Sequence, residues 1–307
     1  MRRLLLGLLP AFLLAVPHPA RAGLRIAATV PDLAALAREV AGARAEVFSL
    51  TLPTQDPHYA DARPHLALQL NRANLLLTVG LGLEVGWLPT LLSGARNPAI
   101  QPGTAGHLDC STLAQLKDVP QAKVDRSQGD VHPGGNPHYL TDPDNAVRIA
   151  RVLGERLGQL DPAGAATYRR NALAFVAALG GARRRWLAFA ASVRGRPVVT
   201  YHKSWVYLTD FLGLRVVAQL EPKPGIPPSP SHVLQVMLLM RSERVSVLLQ
   251  EDYYPDRTAQ LMAEKTGARV VRLPGGTNLA GGERYLQRME ALVQRVVRAF
   301  SVGSAGR

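Results

Sequence analysis

Short, almost wholly apolar runs recur along both halves of this chain, each closed by a loop and followed by a helix-period pattern. They fall at 24–28, 45–50 and 74–79, and again at 197–200, 214–220, 245–249 and 268–273. A strand that is apolar on both sides must be covered on both faces, and alternation with helices is how a parallel sheet is covered. The expected fold class is therefore α/β, with two lobes of parallel sheet flanked by helices. Between the two sets, residues 161–193 open on Asp161-Pro162, an N-cap followed by proline, and stay rich in Ala, Leu and Arg. As one helix they would reach roughly 45 Å, long enough to join the lobes rigidly, with Gly180-Gly181 as the place for a bend. The expected organisation is a signal peptide at 1–22, a first lobe at 23–160, the connecting helix at 161–193 and a second lobe at 194–307.

Residues 1–22 have the three parts of a secretory signal. Arg2 and Arg3 form the basic end, 4–16 the apolar centre, and Ala20-Arg21-Ala22 the small-x-small cleavage site. The apolar centre is too short for a stable membrane span. The only cysteine is Cys110. It excludes an intramolecular disulfide and leaves no lipidation cysteine at the cleavage site. The expected product is a soluble, exported monomer retained in a bacterial periplasm. The formal charge of +13 includes Arg2, Arg3 and Arg21, so the exported part carries +10. A basic surface can meet nucleic acid. Here the arginines are spread through helical stretches, aromatic residues are few, and export removes the chain from nucleic acid, so no such partner is expected.

Residues 93–136 read as loop, with 125–136 (DRSQGDVHPGGN) exposed, and the tail 301–307 as disordered. A helix is expected to carry Glu84, Trp87 and Leu91. The segment 80–86 (GLGLEVG) follows a strand but lacks the glycine pattern of a dinucleotide loop, and Glu84 would repel phosphate.

Three histidines share a setting. His58, His138 and His202 each lie in a loop after a strand or just before a helix start, each preceded by proline or an aromatic residue. Neutral imidazole is the commonest ligand for borderline metals, and three of them with a carboxylate or water complete a tetrahedral zinc site. Their long separations leave two readings open: ligands gathered by the fold, or ordinary hydrogen-bonded loop residues. His65 and His232 fall in first helical turns, His107 in a glycine-rich loop, and His132 in the 125–136 loop, outside the expected ligand set. Hydrolase and nucleotide-binding signatures are absent: no His-Glu-x-x-His, no Gly-x-Ser-x-Gly and no phosphate-binding Gly-x-x-x-x-Gly-Lys-Ser/Thr.

Gln55-Asp-Pro-His58, Asn136-Pro-His138-Tyr with Asp142-Pro143, and Thr200-Tyr-His202-Lys-Ser-Trp occur in this order, followed by the proline-rich loop 221–230. Together they resemble the metal-binding solute-binding proteins of bacterial ABC transporters, the cluster that serves zinc and manganese uptake. The resemblance covers the whole exported chain. It implies two α/β lobes joined by a rigid long helix and a divalent metal between them, Zn²⁺ first and Mn²⁺ second. It also implies a membrane permease as partner and no catalysis. His58 and His138 would come from the first lobe and His202 from the second. The chain departs from the pattern twice. It has no His-rich acidic loop, and the stretch after the last strand, 272–279 (RLPGGTNL), lacks the usual Asp. Glu251 then becomes the first candidate for a fourth ligand, with Asp252 and water as alternatives. The rival function is a zinc hydrolase with three histidines and a metal-bound water.

Overall fold

The computed structural model describes residues 23–122, 131–221, 223 and 225–301. The signal stretch 1–22, most of the 125–136 loop, Pro222 and Pro224 of the proline-rich loop, and the tail from 302 onward lie outside the described residues.

Two four-stranded sheets, parallel in every pairing, form the centres of two lobes. The first contains β1 (Leu24–Ala28), β2 (Ala45–Ser49), β3 (Leu75–Thr78) and β4 (His107–Asp109), in the order β2-β1-β3-β4. The second contains β5 (Pro197–Thr200), β6 (Arg215–Gln219), β7 (Val247–Glu251) and β8 (Arg269–Leu273), in the order β6-β5-β7-β8. The two orders are the same. In each, the chain moves outward to one side and then crosses back, which leaves a crevice at the carboxyl ends of the strands.

The helices are α1 (Pro31–Ala41), α2 (Pro64–Asn71), α3 (Leu88–Ala95), α4 (Pro143–Leu160), α5 (Ala165–Ala190), α6 (Val206–Phe211), α7 (Pro230–Ser242), α8 (Asp256–Thr266) and α9 (Tyr285–Ser301). Several start as their residues dictate. Asp142 caps α4 by accepting from Asp144 N, with Pro143 at the first helical position. Gly267 closes α8 at φ 75°, a conformation that glycine adopts without a Cβ clash. The connector α5 has 26 residues and stays helical through Gly180-Gly181.

One apolar core runs through both lobes. It includes Ile26, Leu36 and Leu77 of the first lobe, Tyr168, Leu179 and Trp186 of α5, and Val198, Leu249 and Val296 of the second. Full burial of each large apolar side chain contributes ~1.5–3 kcal/mol. Smaller cores lie beyond the outer face of each sheet, around Leu70 and Trp87 in one lobe and around Leu248 and Met262 in the other. Helix α9 fastens the lobes together. Trp186 Nε1 donates to Glu290 at 2.6 Å, Tyr285 Oη donates to Leu140 O at 2.7 Å, and Arg288 pairs with Asp32 at 3.1 Å. A shared core and these ties favour small tilts of the lobes over a wide hinge.

Three expectations need correction. His107 opens the edge strand β4 rather than lying in a loop, because a strand of three residues is too short to show a period. Glu84 and Trp87 precede α3 and sit in a turn, and only Leu91 of the expected three lies in the helix. Of the 125–136 loop, Gly135 and Asn136 are buried rather than exposed.

Candidate metal centre

The crevice gathers its polar side chains from strand ends. After β2, the chain enters a 3-10 turn at Pro57–Tyr59. Asp56 caps it: Oδ1 accepts from His58 N at 3.0 Å and from the His58 ring Nδ1 at 2.7 Å. Burial alone would raise the Asp56 carboxyl, but its bonds with the His58 ring and backbone prevail and hold it below the ordinary value. Trp87 Nε1 donates to Pro57 O at 2.9 Å and props the turn from α3's side.

His138 is placed by Asn136, whose Oδ1 accepts from His138 N at 2.9 Å. Asn136 also reaches the second lobe, donating to Lys203 O at 2.9 Å, and its own carbonyl accepts from Tyr207 Oη at 2.8 Å. His202 follows β5 in extended backbone, and its Nδ1 lies 2.5 Å from Glu221 Oε2, just past the end of β6.

A carboxylate only accepts, so Asp56 and Glu221 each require Nδ1 to carry the proton. That leaves the Nε2 lone pairs of His58 and His202 for another partner. Nε2 of His58 and of His138 are buried with no hydrogen-bond partner among the described residues. Such atoms are costly unless something binds them. His58, His138 and His202 each offer a ligand atom within 4.8 Å of the others, and their ring centroids are 5.2–5.4 Å apart. Burial first, then the neighbouring His58, His202 and His132 rings, hold the His138 pKa well below its ordinary value. Burial also lowers His202, and the bond to Glu221 offsets this only in part. The cluster is therefore neutral at pH 7 at these two positions and ready to donate. The donor set fits a borderline dication: three imidazoles, two of them backed by carboxylates.

Glu251 ends β7 at 1% exposure, and neither of its oxygens has a hydrogen-bond partner among the described residues. Burial pushes its carboxyl up to about 8, and the nearby Ser204 hydroxyl opposes this without completing a hydrogen bond. Glu251 and His138 line one cavity, yet Glu251 is outside the group whose ligand atoms all lie within 4.8 Å of one another. Asp252 is engaged elsewhere, its Oδ1 accepting from Gly275 N at 3.1 Å. In the loop after β8, a Cβ on Gly275 would come within 2.4 Å of the Tyr253 ring. A glycine is required there by the close approach of that ring.

The other histidines separate. His65 is exposed, His107 faces Thr78 Oγ1 at 3.2 Å, and His232 faces Gln219 O at 3.1 Å. Cys110 is fully buried, which raises its thiol pKa and keeps it inert. His132 is different: its ring lies 5.4 Å from that of His58. Sequence reasoning missed the roles of Asp56 and Glu221. The Asp-x-His spacing of Asp56 and His58 was a usable signal, whereas nothing local links Glu221 to His202.

Two parallel-sheet lobes with a histidine cluster between their strand ends define a protein built to hold a small polar guest in a crevice. The family described as zinc-uptake complex component A, periplasmic, matches residues 26–299. The chain belongs to that family. It is 26% identical over 286 residues to the iron-binding protein YfeA of Yersinia pestis, an alignment covering 91% of this chain and 86% of that one. It is 25% identical to the high-affinity zinc uptake system protein ZnuA of Brucella abortus, over 47% of this chain and 44% of the relative. Among solved structures it is similar in fold to a crystal structure of ZnuA, with TM-score 0.75 at 21% identity, covering 90% of this chain and 99% of that one.

Proposed function

We propose that this chain is the exported capture component of an ABC uptake system. It binds one divalent metal ion, zinc first, between its lobes and hands it to a membrane permease. The observation that carries the reading is the convergence of His58, His138 and His202 with carboxylates behind two of the rings. Three neutral nitrogen donors suit zinc, whereas manganese favours more oxygen. Family membership supports periplasmic delivery to a permease. The relatives' names include both iron and zinc, so the metal is the point to test. Glu251 is the fourth ligand in this reading: a dication beside it would return its carboxyl to the charged form and take up its unpartnered oxygens. Cleavage after Ala22, a monomeric state and the absence of catalysis belong to the same proposal. No helix among the described residues is long and apolar enough to cross a membrane.

The test is metal analysis of protein purified without added metal, followed by competition titration with zinc, manganese and iron(II). One equivalent of zinc, bound more tightly than manganese, is expected; a preference for manganese or iron would overturn the assignment of zinc. Turnover of esters or phosphoesters by the zinc-loaded protein would favour the hydrolase instead.

A further inference from the structure

The sequence spreads its arginines along helical stretches, and the fold brings a set of them to one face. Helix α5 carries five arginines and no acidic residue in 26 residues. Its inward side is set by Tyr168, Phe175, Leu179 and Trp186, all buried. At about 100° per residue, Arg170 stands half a turn from Leu179, and Arg184 nearly half a turn from Trp186. Arg169, Arg170, Arg184 and Arg185 are exposed. Arg183 pairs with Asp144 of α4 at 3.2 Å. The other four guanidinium groups have neither an ion pair nor a side-chain hydrogen bond among the described residues. Elsewhere on the surface, Arg25, Arg215 and Arg272 each meet a carboxylate at 2.6–2.7 Å.

Two adjacent like charges at each end of this face repel one another, and no carboxylate of the helix offsets them. An anionic partner would offset them. Arg170 and Arg185 are 15 residues apart, about 22 Å along the axis. That is well over the Debye length of about 8 Å at physiological salt. One small anion cannot serve both pairs, whereas an extended anionic surface can. Among the arginines, Leu173 is 57% exposed and Phe189 43%. Apolar side chains set among basic ones suit the boundary between lipid headgroups and acyl chains. The guanidinium fork matches phosphate in a bidentate way. Phe189 is the one exposed aromatic residue of α5, which makes no stacking platform for nucleic-acid bases.

We infer that the outward face of α5 is a docking surface for a bilayer that carries anionic phospholipid headgroups. The exposed arginines meet headgroup phosphates, and Leu173 and Phe189 enter the boundary beneath them. None of the metal-site residues described above lies on α5. Its ends lie beside the amino ends of strands. Leu160, Asp161 and Pro162 line one cavity with Gly23 and Leu24 at the start of β1. The turn Ala191–Val193 leads into β5 at Pro197. His58 and His202 lie past the opposite, carboxyl ends of β2 and β5. Docking therefore neither touches the ion nor requires it. The inference goes beyond the uptake reading and stands without it. For an uptake component, such docking keeps the carrier in the plane of the membrane that holds its permease.

The experiment is co-sedimentation of the chain from Gly23 onward with vesicles of phosphatidylcholine alone, or mixed with phosphatidylglycerol at about 2:1. Binding is read in low salt and in about 0.15 M salt. The parent is expected on the mixed vesicles only, more weakly as salt rises; no binding there, or equal binding to both, sinks the proposal. Arg169→Gln, Arg170→Gln, Arg184→Gln and Arg185→Gln combined should weaken partitioning by about tenfold or more. Gln keeps the helix propensity. Each pair replaced alone should fall between, which serves if the four-site variant loses its fold by circular dichroism. The same charge removed elsewhere, by Arg72→Gln, Arg96→Gln, Arg244→Gln and Arg257→Gln, should cost no more than about threefold. An equal loss in the two four-site variants would make net charge the cause and overturn the assignment to α5. Leu173→Gln with Phe189→Gln should weaken vesicle binding and leave binding to soluble polyphosphate unchanged; parent-like vesicle binding would point to a soluble polyanion instead. Zinc-loaded and metal-free protein should bind vesicles alike, and binding that appeared only with zinc would show that the ion, not the face, holds the membrane.

Discussion

Strand β3 in the first sheet and strand β7 in the second hold the same place, beside β1 and β5 respectively. Each is followed or ended by a buried glutamate, Glu84 at 4% exposure and Glu251 at 1%. Burial raises the pKa of both. Their partners differ. Glu84 accepts from Thr29 Oγ1, Val79 N and Gly80 N, and so closes the end of its own sheet. Glu251 accepts from nothing among the described residues and faces the cavity that His138 also lines. Burial by itself is therefore not a mark of a binding carboxylate. What marks one is burial without hydrogen bonds, since a finished network has nothing left to offer a cation.

The scale for breaking this contrast is set by a resident ligand. His202→Ala should weaken zinc binding by more than the roughly 10–100-fold that loss of an outer partner costs, with the fold intact by circular dichroism; parent-like competition titration would remove His202 from the site. Glu84→Ala should act on stability instead. It removes the acceptor of Gly80 N and of the Thr29 hydroxyl and leaves Val79 N only its longer bond to Thr29 Oγ1 at 3.3 Å, so denaturant unfolding should show a loss of about 1–3 kcal/mol, while zinc affinity of the folded protein is kept. If affinity dropped and stability held, the two glutamates would have been assigned the wrong way round.

Removing a carboxylate behind a ring comes next. Glu221→Ala or Asp56→Ala should cost roughly 10–100-fold in zinc affinity by releasing ring orientation and tautomer, and an unchanged titration would show that the rings are held by packing alone. Glu251→Gln keeps shape and removes charge. About a tenfold loss of affinity, ~1.4 kcal/mol, is expected, with Asp252→Asn near the parent. If neither variant changes affinity, the site is three histidines and water.

The smallest effect is in pH. Glu251 has a folded value of about 8, above its ordinary 4.5. The folded metal-free protein therefore binds more protons than the unfolded chain between these values. Its contribution to stability is full below 4.5 and is lost as pH rises through about 8. Metal-free Glu251→Gln should lack this loss, so it should gain on the parent as pH rises from 5 to 8; parallel curves would contradict a buried, unpartnered carboxyl. For zinc, the lowered values of His138 and His202 mean that protons compete weakly. Retention should extend below pH 6.5, where free imidazoles protonate, as a competition titration between pH 5 and 7 would record.

The sequence alone pointed to the two parallel sheets, the long helix between them and three candidate histidines in loops after a strand or just before a helix start. Those signals are local: apolar runs, an Asp-Pro cap, and loop residues beside a strand end or a helix start. Even there, β4 was too short to see and Glu84 was assigned to a helix that begins later. The tertiary structure decided the rest. Glu221 is 19 residues from His202, Tyr254 Oη meets Asp56 from the opposite lobe at 3.4 Å, and His132 is fixed by a carbonyl 51 positions away. Glu84 and Glu251 look alike as buried acids after apolar strands, and only their neighbours in space separate them. Hydrogen-bond satisfaction depends on which groups the packed core brings within 3 Å, and no local pattern of residues encodes that distance.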